Sequence, residues 1–68
     1  GEVWWLLDFK TSRPAAGESL EEFLAREGEK YRPQLLAYRD MVAKAKGLPP
    51  AVLRPALYFT ALRQLVEL

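Results

Sequence analysis

The chain contains neither cysteine nor histidine, and these two absences exclude several classes of site. Disulfide frameworks need cysteine and most zinc sites need cysteine or histidine, so neither is expected. A metal site must therefore use carboxylates, carbonyl oxygens and water, which suit hard ions such as Mg²⁺ or Mn²⁺. The apolar runs, such as residues 3–7, are too short to span a membrane, and no signal peptide is visible. We expect a cytoplasmic protein with no membrane partner.

An excess of charge of either sign is also missing. The net charge is +1, so the charge balance alone does not indicate a nucleic-acid partner. The composition is 50% hydrophobic and 28% charged, which is typical of a folded domain rather than a disordered chain. Sixty-eight residues make at most one small domain of marginal stability, and the first residue is Gly rather than Met. We expect a fragment of a longer protein.

The first segment, residues 3–9, is rich in aromatic and branched side chains. A continuous apolar run of this length predicts a strand buried on both faces, with Trp4 and Trp5 in the core. At its end, Asp8 and Lys10 are two residues apart and therefore point to the same face, whereas Phe9 points to the other.

A helix pair is predicted after the loop of residues 10–19. Ser19 and Glu22 form a capping box, which starts a first helix over about residues 20–28. Gly28 interrupts the pattern, and Pro33 is placed in the first turn of a second helix that runs to about residue 46. Gly47 supplies a left-handed cap. The predicted inward-facing residues of this second helix are Gln34, Leu35, Tyr38, Met41, Val42 and Ala45.

The C-terminal third favours strand structure. Residues 57–60 are aromatic and branched, and Pro55 indicates that this strand starts after it or has its donor side unpaired. The tail is either a turn into a final strand over residues 64–68, which we prefer, or a short helix. The order is strand, helix pair, and one or two further strands, which predicts an α/β unit.

Two groups of residues could carry chemistry. Phosphodiester hydrolysis with a divalent ion needs a carboxylate to hold the ion and benefits from a nearby cation, and Asp8 and Lys10 supply both on one strand face. The carbonyl of Phe9 is a further oxygen ligand. Gln34 and Tyr38 are four residues apart, so they are neighbours on one helical face and could steady an attacking water or bind a phosphate. Each group alone is more often an ordinary solvated or core feature.

Taken together, the two groups resemble the nuclease domain of the RecB family, of the PD-(D/E)xK type. The resemblance rests on apolar residues leading into Asp8-Phe9-Lys10-Thr11, followed by Tyr31, Gln34 and Tyr38 in a Tyr-x-x-Gln-x-x-x-Tyr pattern. It covers nearly the whole chain and implies a restriction-endonuclease-like fold, of which residues 1–68 are the C-terminal portion. In the family, such domains occur at the C-terminus of UvrD-type helicases of the RecB and AddA groups.

The resemblance implies a role for each matching residue. Asp8 would be a metal-binding carboxylate, Phe9 a carbonyl ligand, Lys10 the catalytic lysine, and Gln34 and Tyr38 the helix motif near the DNA end. Thr11 would have a supporting role.

It also implies a Mg²⁺- or Mn²⁺-dependent deoxyribonuclease of DNA recombination and repair. Its partners would be DNA and the rest of a helicase-nuclease, whose ATP-driven motor lies outside this chain. The first metal-binding Asp of the family has no counterpart here, so the fragment alone is expected to be inactive or nearly so. The alternatives are a non-catalytic relative that binds DNA or a subunit, and a plain α/β interaction domain. Exposed strand edges would favour self-association.

Overall fold

The computed structural model describes residues 2–68 and contains one long helix packed on a three-stranded mixed sheet. Strand β1 spans Trp4–Lys10, helix α1 spans Leu20–Lys46, β2 spans Leu53–Phe59 and β3 spans Gln64–Glu67. A 3₁₀ turn at Pro50–Val52 leads into β2. The order in the sheet is β1-β2-β3, with β1 parallel and β3 antiparallel to β2. The expected α/β character is confirmed at this general level.

The predicted pair of helices is wrong, because α1 runs without a break through both Gly28 and Pro33. Gly28 is buried opposite Val66 and Leu68, so packing against the end of the sheet offsets its low helix propensity. Pro33 lacks the N–H that would bond the carbonyl of Glu29, but both residues are exposed and water can reach that carbonyl.

Both ends of α1 are as predicted. The Ser19 hydroxyl accepts from the Glu22 amide at 3.1 Å, and the Glu22 carboxylate accepts from the Ser19 amide at 3.2 Å. At the other end Gly47 has a φ of 65°, and its amide bonds the carbonyls of Ala43 and Lys44. These caps satisfy terminal backbone groups that the helix itself leaves unpaired.

The inward face of α1 differs from the one predicted. Leu35 is buried and Val42 is half-buried as expected, but Ala43 is buried in addition, and the exposed members of the predicted face are Gln34, Tyr38, Met41 and Ala45. Because the helix is continuous, the face that packs on the sheet is fixed by Phe23 and Gly28 in its first half. The second half therefore presents a different face to the sheet from the one expected of a separate helix that begins near Pro33.

The prediction that β1 is buried on both faces is also wrong. β1 is an edge strand, and the helix covers only one side of the sheet. Leu6, Asp8 and Lys10 point toward α1 and are half-buried. The opposite face of the sheet, called the open face below, is exposed and includes Trp5, Leu7, Phe9, Tyr58 and Leu65. Trp4 and Trp5, expected in the core, are 55% and 44% exposed.

Strand β2 lies at the centre of the sheet although it contains Pro55. The Pro55 carbonyl accepts from the Leu68 amide at 2.9 Å, so its nitrogen faces the same side, just beyond the end of β3. The N–H that Pro55 lacks therefore falls where the β2–β3 hydrogen bonds end. Of the two alternatives predicted for Pro55, the observed one is a strand that contains Pro55 with its donor side unpaired. The expected final strand is confirmed as Gln64–Glu67.

The core lies between α1 and the covered face of β2. Phe23 and Phe59 meet edge to face at 5.2 Å between ring centroids, and Leu35 and Leu57 complete the buried cluster. Tyr31, Leu62 and Val66 pack against its margin. Within residues 2–68, no helix combines the length and apolar character needed to cross a membrane.

Candidate functional site

The covered face of β1 places Asp8 and Lys10 side by side, as their spacing predicts. The Lys10 ammonium is 3.0 Å from Oδ2 of Asp8, and the two side chains are 23% and 35% exposed, respectively. In the sheet register Asp8 lies beside Leu57 and Lys10 beside Phe59, both fully buried. The ion pair therefore rests on the hydrophobic core and opens toward solvent at the free edge of β1.

Lys10 is held at both its main chain and its side chain. Its carbonyl accepts from the amide of Thr60 at 2.9 Å and from the Thr60 hydroxyl at 3.3 Å. Its ammonium lies 3.8 Å from the centroid of the Tyr31 ring. Burial alone would lower the pKa of Lys10, but the Asp8 carboxylate and Tyr31 outweigh this effect and raise that pKa above its ordinary value. Lys10 is thus a cation at neutral pH.

A groove of about 620 Å³ separates β1 from the second half of α1. Asp8 contributes to one wall, and Gln34 and Tyr38 contribute to the other. Apolar side chains complete the lining, including Leu6, Leu35 and Met41. Three of the four predicted catalytic side chains therefore share one groove, and the fourth, Lys10, is in contact with the Asp8 carboxylate.

Phe9 turns its side chain away from this groove. Its ring is 62% exposed on the open face and meets Tyr58 edge to face at 6.0 Å. Carbonyls alternate in direction along a strand, and that of Lys10 points to Thr60 on the β2 side. The Phe9 carbonyl accordingly faces the free edge of β1, where it has no strand partner within residues 2–68. It is an available acceptor, as its predicted role requires.

The Asp8 carboxylate and the Phe9 carbonyl are the types of ligand that a hard divalent ion prefers, but they are too few to hold such an ion. A carboxylate and a backbone carbonyl are suitable oxygen ligands, yet Mg²⁺ and Mn²⁺ sites usually draw on further protein oxygens or substrate phosphate. Among residues 2–68 there is no group of three or more His, Cys, Asp or Glu side chains placed to hold a metal. Asp8 is also already paired with Lys10. These residues could supply at most part of a metal site.

Two residues of α1 lie near the end of β1, and the sequence assigned neither of them a role of its own, although Tyr31 is part of the Tyr-x-x-Gln-x-x-x-Tyr pattern. Glu27 is 4% exposed, and its carboxylate accepts from the Ser12 hydroxyl at 3.1 Å, which fastens the loop after β1 to α1. Tyr31 follows one turn later and contacts Lys10. The four-residue spacing of Glu27 and Tyr31 was a usable signal, because it places both on one face of a continuous helix. Dividing α1 at Gly28 concealed it.

Protein-family models, curated proteins and solved structures each gave no match to this chain.

Proposed function

We propose that this chain is the distal part of a metal-dependent DNA nuclease domain with a restriction-endonuclease-like fold. In this proposal the parent protein is a helicase-nuclease of DNA recombination and repair. The supporting observation is the convergence of the two predicted groups. Asp8 on β1 faces the same groove as Gln34 and Tyr38 on α1, with Lys10 against the Asp8 carboxylate. Asp8 is distant in sequence from Gln34 and Tyr38, yet the three residues line one groove.

The proposed roles follow from the chemistry of each group. The Asp8 carboxylate and the Phe9 carbonyl would be ligands of Mg²⁺ or Mn²⁺, with a further carboxylate supplied from outside residues 1–68. Such an ion makes bound water more acidic and stabilises charge on the phosphate. Lys10 places a permanent cation beside the scissile phosphate, where negative charge increases during attack. Gln34 and Tyr38 offer an amide and a hydroxyl across the groove, which would orient the attacking water or a phosphate oxygen.

One observation favours the second candidate, a non-catalytic relative that serves subunit packing. The open face presents Trp5, Leu7, Phe9 and Leu65, each at least 44% exposed. Contiguous exposed apolar patches often mark interaction surfaces, so a face of this kind is suited to contact with further protein. This candidate does not need both Asp8 and Lys10, whereas the nuclease does.

The decisive experiment uses a chain extended N-terminally to include a preceding strand with an acidic residue. Single- and double-stranded DNA are incubated with Mg²⁺, and cleavage is followed with time. We expect Asp8→Ala and Lys10→Ala each to lower the rate by at least about a hundredfold, the typical loss when a group that stabilises transition-state charge is removed. The 68-residue chain is expected to show little or no cleavage.

Matched controls are available on α1. Asp40 and Lys44 are exposed on this helix and do not line the groove. Asp40→Ala and Lys44→Ala therefore remove the same charges without touching the site, and cleavage should persist. Circular dichroism of all four variants checks that they fold. Cleavage that survives both Asp8→Ala and Lys10→Ala would refute the catalytic assignment. DNA or subunit binding without Mg²⁺-dependent cleavage would favour the second candidate.

A further inference from the structure

Lys10 has two neighbours that compete for its charge, and only one of them is also a proposed metal ligand. The ammonium lies 3.0 Å from the Asp8 carboxylate and 3.8 Å from the Tyr31 ring centroid. We propose that Tyr31 is a positioning residue, whose ring face holds the Lys10 ammonium beside Asp8. Its significance for catalysis rests on the proposed nuclease function, whereas the placement of Lys10 on the ring does not.

The Tyr31 ring is well suited to hold a cation because it is anchored in the fold. It is half-buried and packs against the core cluster that contains Phe23 and Phe59. An aromatic ring fixed in this way presents its negative face without losing further conformational entropy. The distance of 3.8 Å is well inside the limit of about 6 Å for an effective cation–π contact.

Asp8 alone is a poor means of positioning Lys10. Partly exposed pairs of lysine and carboxylate contribute little, because the long lysine side chain loses entropy and solvent screens the charges. In the proposed function Asp8 must also bind a divalent ion, which would weaken its attraction for the ammonium. Tyr31 contacts Lys10 through its ring face, and its hydroxyl also helps to raise the pKa of Lys10. Neither interaction depends on a free Asp8 carboxylate. With the main chain fixed by Thr60, both ends of Lys10 are then held.

A second lysine provides the matched control. The ammonium of Lys30 is 5.2 Å from the centroid of the same ring, and its residue is exposed. It lies next to Tyr31 on α1 and makes no ion pair with Asp8. Removing Lys30 changes the charge near Tyr31 without changing the contact that the proposal requires.

The test is an NMR measurement on the 68-residue chain, free of metal. An ammonium above a ring brings the adjacent ε-methylene protons into the shielding region of the ring. We expect the Lys10 ε protons to be shifted upfield in the wild type, in Tyr31→Phe and in Lys30→Ala. In Tyr31→Leu this shift should disappear. Lys10 ε protons at ordinary lysine positions in the wild type would overturn the proposal, even if Tyr31→Leu failed to fold. A wild-type shift that persists in a folded Tyr31→Leu chain would also overturn it.

DNA cleavage by the N-terminally extended chain tests whether the placement of Lys10 by Tyr31 matters for catalysis. Tyr31→Phe should retain the wild-type rate, because the ring face remains. Tyr31→Leu should lower kcat by roughly tenfold to a hundredfold with little change in KM, as expected for a misplaced catalytic group. If the extended wild type does not cleave DNA, the proposed function fails while the NMR result still decides the placement of Lys10. If it cleaves and Tyr31→Leu cleaves equally well, the positioning role alone is refuted.

Discussion

Replacing Pro33 with alanine should stabilise the fold, because Pro33 lies inside a continuous helix. Proline in a helix interior costs about 3 kcal/mol, through the lost hydrogen bond and the clash with the carbonyl four residues earlier. That carbonyl belongs to Glu29, and both residues are exposed, so no core contact is lost in the variant. Alanine also makes the unfolded chain more flexible, which offsets about 0.4–1 kcal/mol. The expected net gain in the free energy of unfolding is about 2 kcal/mol.

The assay is reversible unfolding by urea and by heat, followed by circular dichroism at the helix band. For a domain of this size, a gain of about 2 kcal/mol corresponds to a rise in Tm on the order of 10 °C. Pro50→Ala is the matched control, because Pro50 is the first residue of a 3₁₀ turn, where a missing N–H has no cost. It should be neutral or slightly destabilising. A Pro33→Ala variant that is less stable than the wild type would show that the chain prefers a break at Pro33.

Two further predictions concern the beginning of α1. Ser19→Ala should lower the free energy of unfolding by about 1 kcal/mol, because the Glu22 amide loses its acceptor. Urea denaturation measures this loss, and an unchanged denaturation midpoint would contradict the capping box. Hydrogen bonds from Arg26 and from the Ala15 amide lower the pKa of Glu18 to about 2, so this carboxylate is favoured when ionised in the folded state. Its contribution to stability should be complete above the ordinary pKa of 4.5 and should fall as pH decreases toward 2. NMR titration of the Glu18 carboxyl should show the low pKa in the wild type and a pKa nearer the ordinary one in Arg26→Gln. Equal Glu18 pKa values in both chains would show that Arg26 does not lower this pKa.

Local signals in the sequence were sufficient to locate both ends of α1, but not the start of β2, which lies at Leu53 rather than near residue 57. Ser19 and Glu22 define the start of α1, and Gly47 defines its end, because capping depends only on residues within one turn. The final strand at Gln64–Glu67 was also predicted from its composition. The break at Gly28 and Pro33 was predicted by the same local reasoning and is absent. At these positions the packing of Gly28 against Val66 and Leu68 decides the outcome, and those residues are distant in sequence.

The burial of β1 could not be predicted from its apolar residues. Trp5, Leu7 and Phe9 have the composition of a core strand, yet they are exposed because β1 is at the sheet edge and α1 covers only one face. The position of a strand in its sheet, and the number of faces of the sheet that are covered, depend on the fold of the whole chain. Neither can be predicted from the sequence of one strand. The prediction that Asp8 and Lys10 share a face needed only the two-residue period of a strand, and it is confirmed.

For the candidate site, the residue types could be predicted but their grouping could be predicted only in part. The resemblance singled out Asp8, Lys10, Gln34 and Tyr38, and the groove brings three of them together. The contact between Lys10 and Tyr31 depends on how α1 is rotated over the sheet, which the predicted helix pair placed incorrectly.

The parallel pairing of β1 with β2 also has a consequence for the order of folding. Trp4 pairs with Leu53 and Lys10 with Phe59, so this ladder forms only after the whole of α1 has been enclosed in a loop. The β2–β3 hairpin closes over residues 60–63 at far lower entropic cost. β1 should therefore dock late in folding and be the first strand to open in native-state fluctuations. Asp8 and Lys10 reside on this strand, so the candidate site should be assembled last, and its amides should exchange with solvent sooner than those of the hairpin.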